Sequence, residues 1–70
     1  MELIKGTKVR HDRTGVIETI VGTCKIKYNG SWVDGVIYEG NDRYTNTPMT
    51  FVRTVEEFEK EFSLWQNTLG

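Results

Sequence analysis

One cysteine, one histidine and one proline in seventy residues exclude several kinds of protein at once. Cys24 alone cannot form an internal disulfide, so the fold must hold without a covalent staple, in a setting that is reducing. His11 and Cys24 together fall short of the several N, S or O donors that a zinc site needs, and a Cys/His or Ser/His/Asp machine would have to be built from His11 with Cys24 or a serine, which sit in a strand, a tight turn and a late helix. No metal, cofactor or catalytic residue is expected. The glycines Gly15, Gly22, Gly30, Gly35 and Gly40 are spread one to a turn or bulge, not gathered into a phosphate-cradling loop. No stretch approaches the length of about 20 apolar residues that crosses a bilayer, and no apolar signal segment follows Met1. The expectation is a cytoplasmic, non-enzymatic chain without membrane contact.

Net charge is scarce too, at −1, but it is unevenly placed. Up to Gly30 the basic residues (Lys5, Lys8, Arg10, Arg13, Lys25, Lys27) outnumber Glu2, Asp12 and Glu18 by three. Beyond it Arg43, Arg53 and Lys60 face an excess of four carboxylates, from Asp34, Glu39, Asp42, Glu56, Glu57, Glu59 and Glu61. A basic sheet beside an acidic helix would produce this division, and so would a surface that steers a charged partner.

What the chain does contain is a β-hairpin. Asn29-Gly30 tolerates positive φ at both central positions of a type I′ turn, whose twist matches two antiparallel strands. That turn sets the register: Tyr28 faces Ser31, Lys27 faces Trp32, Ile26 faces Val33, Lys25 faces Asp34 and Cys24 faces Gly35. Trp32, Val36 and Tyr38 then share the side opposite Ile26 and Val33, so both faces carry large apolar groups and one of them needs a cover. Cys24 reads as a small apolar residue of the interior.

Upstream, Gly6-Thr7-Lys8-Val9-Arg10-His11 alternates and is closed by Asp12-Arg13-Thr14-Gly15, the composition of a type I turn followed by a left-handed glycine. Val16-Ile17-Glu18-Thr19-Ile20-Val21 is rich in β-branched residues. Residues 40–48 are dense in turn formers and read as the longest loop, followed by a short strand from Met49 to Arg53. Thr54 with Glu57 has the spacing of a capping box, and Val55, Phe58, Phe62, Trp65 and Leu69 recur at helical steps beyond it. Glu56 with Lys60 is an i,i+4 pair on that helix, and Arg53 is placed to meet Glu56, Glu57 or Asp34. The chain is therefore expected to be a single mainly β domain over residues 1–70: a five-stranded SH3-like or Tudor-like antiparallel meander (about 7–11, 15–21, 24–28, 31–39 and 49–53) with one C-terminal helix at about 55–66. An OB-fold suits this order less well.

Gly6-Thr7-Lys8-Val9-Arg10-His11 and Gly15-Val16-Ile17-Glu18-Thr19-Ile20 resemble the opening of the Tudor-like RNA-polymerase-interacting domains of the CarD family and of transcription-repair coupling factors. The resemblance implies a small barrel that docks a polymerase subunit through a strand edge. It stops there: the Asn-Gly hairpin bearing Trp32 and the Phe58/Phe62/Trp65 segment match nothing in that family, and no interface residue is transferred. The short frame is also similar to many phage-encoded proteins that bind and disable one host factor.

The function these residues point to is protein binding without catalysis, as a modulator or inhibitor of a larger assembly. Aromatic and arginine side chains dominate binding hot spots, and Trp32, Tyr38, Arg43 and Tyr44, with Lys27 supporting Trp32, form the expected patch. Self-association through surplus apolar surface is a further expectation. The alternative is a nucleic-acid interface, in which Lys8, Arg10, Lys25 and Lys27 line a stripe and an aromatic ring stacks on a base. A sequence pI near 5.7 counts against it. Capture of a small nucleotide-like ligand between Trp32 and the long loop ranks third.

Overall fold

A computed structural model describes residues 1–65. In chain order the elements are β1 (Lys8–His11), β2 (Ile17–Tyr28), β3 (Ser31–Asn41), β4 (Pro48–Thr54), α1 (Val55–Glu61) and β5 (Phe62–Leu64). The five strands make one antiparallel sheet in the order β4-β3-β2-β1-β5. The sheet curls around a core in the manner of a small barrel without closing between β4 and β5; α1 crosses that gap and feeds β5 back onto β1.

The local signals explain the turns. Asn29 and Gly30 have φ of 50° and 81°, as the two-residue reversal requires, and every expected pairing from Tyr28↔Ser31 to Cys24↔Gly35 is present. Gly15 closes the first hairpin at φ 77°, its amide donating to the His11 carbonyl at 2.7 Å. Thr54 caps α1 by accepting from the Glu57 amide at 3.1 Å, and Lys60 lies 3.5 Å from Glu56.

Two boundaries differ from the sequence-based expectation. The segments expected at about 15–21 and 24–28 are one continuous strand, β2, because Gly22 marks not a turn but a bulge, where the register with β3 slips between Ile20 and Gly22. The helix ends at Glu61, not at about residue 66. Phe62 takes extended backbone and starts a fifth strand, whose backbone groups pair with β1 while the Phe62 ring stays buried. Helical spacing and strand pairing both place Phe58 and Phe62 in the interior, so the stripe alone does not choose between them. Leu69 and the expected helix end at residue 66 lie outside the described residues.

The core answers what covers the second face of the hairpin. Val9, Ile20, Val36, Tyr38, Phe58 and Phe62 form a single buried cluster with Leu3 and Phe51 packed against it. Phe58 from α1 and Phe62 from β5 stack at 4.4 Å and meet the Tyr38 ring at 5.3 and 5.2 Å. The cover thus comes from this chain's own helix and last strand, but only over the base of the hairpin.

Candidate functional site

Alternation along β3 places Trp32, Asp34, Val36 and Tyr38 on one face, and burial changes along that line. Val36 and Tyr38 are enclosed, whereas Trp32 near the hairpin tip is 65% exposed, with the Lys27 ammonium 5.2 Å from its ring centre. Ile26 and Val33 lie on the opposite face; the indole projects from the face that carries the core and is exposed because α1 and β5 do not reach the hairpin tip. Lys25 and Asp34 form an ion pair beside it.

At the other end of β3 the chain builds a groove of about 530 Å³. One rim is the β1–β2 turn with Arg13 and Thr14; the other is the β3–β4 loop with Asp42, Arg43 and Tyr44. The floor is Glu18, Tyr38, Phe51, Arg53 and Phe62. Asp42 organises the loop: its carboxylate accepts from the Thr45 hydroxyl at 2.8 Å, and its amide and carbonyl bond Thr47 and Asn46. Tyr44 is thereby held out at the crest, 87% exposed, with the Arg43 guanidinium 5.8 Å from its ring. On the facing rim Thr14 donates its amide to His11 Nδ1 at 3.3 Å, and the His11 ring stands edge-on to Phe62 at 4.9 Å. His11 is a turn fastener.

The floor is polar beneath its rings. Arg53 donates through Nε to the Tyr38 hydroxyl at 2.7 Å and pairs with Glu61 through Nη1. Its partner is therefore Glu61 and not Glu56, Glu57 or Asp34, because parity turns Arg53 to the core face, under the end of α1. Burial raises the Tyr38 phenol above its usual range, against the hydrogen bond and charge of Arg53. Burial also raises the Glu18 carboxyl, with Arg53 drawing it part of the way back. Glu18 lies along Gly40, where a Cβ would stand 3.0 Å from its Cγ. Its Oε2 is enclosed and has no hydrogen-bond partner among the described residues.

The expected patch therefore separates. Tyr38 is a core residue, 3% exposed, and supports the groove floor from below. Arg43 and Tyr44 are rim residues, and Trp32 with Lys27 belongs to the hairpin tip, six positions from Tyr38 along β3, or about 20 Å at strand spacing. A ligand held between Trp32 and the long loop does not fit this separation. The expected basic stripe divides as well: Lys8 and Arg10 register with Thr19 and Ile17 on the outer face, whereas Lys25 and Lys27 lie on the extension of the core face. Lys8 is further engaged with the Thr19 hydroxyl at 2.6 Å and Lys25 with Asp34. Arg13, Glu18, Phe51 and Phe62 were not singled out as site residues from sequence. Glu18 had a signal, since it precedes Ile20 by two positions in a strand and so places a carboxylate on the apolar face.

Among the described residues no helix is long and apolar enough to cross a membrane, and no three His, Cys, Asp or Glu side chains cluster as metal ligands. Comparison with protein-family models, with the curated proteins and with the solved structures finds no match to this chain.

Proposed function

We propose that the chain is a non-catalytic protein-binding module whose principal recognition surface is the groove between the β1–β2 turn and the β3–β4 loop. The observation that carries this reading is Tyr44, held 87% exposed on an ordered loop beside Arg43 and above an aromatic floor. Tyrosine and arginine around a preformed concavity are the composition of binding hot spots. Arg13 and Arg43, on opposite rims, make no ion pair among the described residues and are free to meet a partner. A non-catalytic role is supported by the separation of His11 and Cys24 on opposite faces of the sheet, His11 Nδ1 being taken up by the turn. The exposed Trp32 arm offers a second contact for a large partner, as expected of a modulator of a multi-subunit assembly.

Affinity capture from a host lysate with wild-type protein, Tyr44→Ala, Arg43→Ala and Trp32→Ala tests this reading. Specific capture lost in the Tyr44 and Arg43 variants supports the groove, whereas capture unchanged in both rejects it. Nuclease-sensitive recovery that falls steeply with added salt would favour the nucleic-acid reading instead.

A further inference from the structure

The two rims of the groove carry the same pair of chemistries. The β1–β2 rim presents Arg13 and Val16, and the β3–β4 rim presents Arg43 and Tyr44. Val16 is 44% exposed and Tyr44 87%, and the Phe51 ring lies half-buried on the floor. Neither Arg13 nor Arg43 makes an ion pair among the described residues. The other charges of the groove are already engaged or withdrawn from its mouth. Arg53 is opposed by Glu61, and Asp42 is turned into its own loop, accepting from the Thr45 hydroxyl at 2.8 Å. Glu18 Oε2 is enclosed, beyond the reach of anything seated in the groove. The charges left to meet an occupant are therefore two guanidiniums on opposite rims, each beside an exposed apolar side chain.

Resting on the reading of the groove as a protein-binding surface, we infer that its occupant is an acidic segment of the partner protein, lying from rim to rim with carboxylates against Arg13 and Arg43 and apolar side chains against Val16, Tyr44 and Phe51. A guanidinium presents a planar fork of N–H donors that matches the two oxygens of a carboxylate, so each rim orients one acidic side chain. Exposed ion pairs alone are worth little, and the apolar contacts between the rims supply the burial that such pairs lack. A nucleic acid suits the groove less well. Tyr38 and Phe62 are each 3% exposed and offer no ring face to a base, and two arginines beside Glu18 and Asp42 are a sparse footprint for a phosphate backbone.

The experiment titrates the whole protein with short blocked peptides at equal ionic strength, following backbone amides by two-dimensional NMR: one alternates glutamate with leucine, and the others carry glutamine or lysine in place of glutamate. The expected result is saturable shifts at Arg13, Val16, Arg43 and Tyr44 in the millimolar range for the glutamate peptide, with the glutamine peptide about tenfold weaker and no saturable response to the lysine peptide. Arg13→Gln and Arg43→Gln are each expected to weaken the glutamate peptide by about three- to fivefold and to leave the glutamine peptide unchanged. Both side chains are exposed and outside the core, so the variants should keep dispersed spectra. Equal affinity for the glutamate and glutamine peptides, absence of a saturable response, or undiminished glutamate-peptide binding by both folded variants would each overturn the inference. Tighter binding of a short oligothymidylate than of the glutamate peptide would overturn it in favour of the nucleic-acid reading. The comparison of peptides on wild-type protein needs no variant. Partner capture that depends on Tyr44 while the peptides show no preference for glutamate would remove this inference and leave the binding-module reading intact.

Discussion

Replacing Gly35 with alanine probes why a glycine stands in the middle of the longest hairpin. Gly35 is buried in β3 opposite Cys24, and its backbone is not at positive φ, so conformational freedom is not the reason. A Cβ built there would lie 2.5 Å from Ile26 Cδ1, 2.7 Å from Ile26 Cγ1 and 3.0 Å from Cys24 Sγ. Optimal carbon contacts are at about 3.5–4.0 Å, so the overlap is near 1 Å. The Cδ1 methyl can rotate away, but moving Cγ1 requires a change of χ1 in a β-branched side chain, which has few alternatives. Overpacking of this kind costs about 1–3 kcal/mol, and the replacement of a strand glycine recovers about 0.5–1 kcal/mol. Because Cγ1 is involved, the upper part of the range applies, and a net loss of about 2 kcal/mol is expected. In a domain of this size that is a substantial part of the whole stability. Urea unfolding followed by tryptophan fluorescence should show the midpoint falling by about 1–2 M, with an unchanged slope. In an Ile26→Ala background the same substitution should cost almost nothing, giving a coupling energy of about 2 kcal/mol in the double-mutant cycle. A cost equal in both backgrounds would refute the steric account.

Three further outcomes follow from other parts of the structure. Thr54→Ala removes the acceptor of the Glu57 amide and should cost about 1 kcal/mol in thermal or urea unfolding, with Thr54→Asp close to wild type. Arg53→Met strips the Tyr38 hydroxyl of its donor and leaves Glu61 unpaired, so a loss of about 1–3 kcal/mol is expected by the same assay, with Tyr38→Phe restoring part of it. The raised Glu18 carboxyl means that the folded protein holds a proton that the unfolded chain has released; stability should therefore decline as pH rises from the ordinary value of 4.5 through the folded one, and unfolding midpoints of Glu18→Gln should decline less over that window.

Much of the scaffold was legible because its determinants are local. The Asn29-Gly30 turn, the alternation on either side of it and the Gly15 turn each depend on a few neighbouring residues, and the register they imply agrees with the pairing throughout the outer part of β2 and β3. Gly22 was ambiguous for a physical reason: a glycine in a strand serves equally as a bulge or as a turn, and only pairing with β3 across nine residue pairs makes continuity the better solution. Phe62 was ambiguous in the same way, being an interior position under helical or extended backbone. The groove was the least visible feature. Its rims come from two loops separated by more than twenty residues, and its floor from strands β2 to β5, so no window of sequence contains it.

The sequence by itself determined the hairpins, their parity and the start of the helix, because turn chemistry and side-chain alternation act over a few residues. Only the tertiary structure decided that Tyr38 is enclosed while Trp32 is not, and that Arg13, Glu18 and Tyr44 share one concavity. Burial of this kind depends on how far α1 and β5 reach across the sheet, and that reach is set by long-range packing of Phe58 and Phe62 against Tyr38.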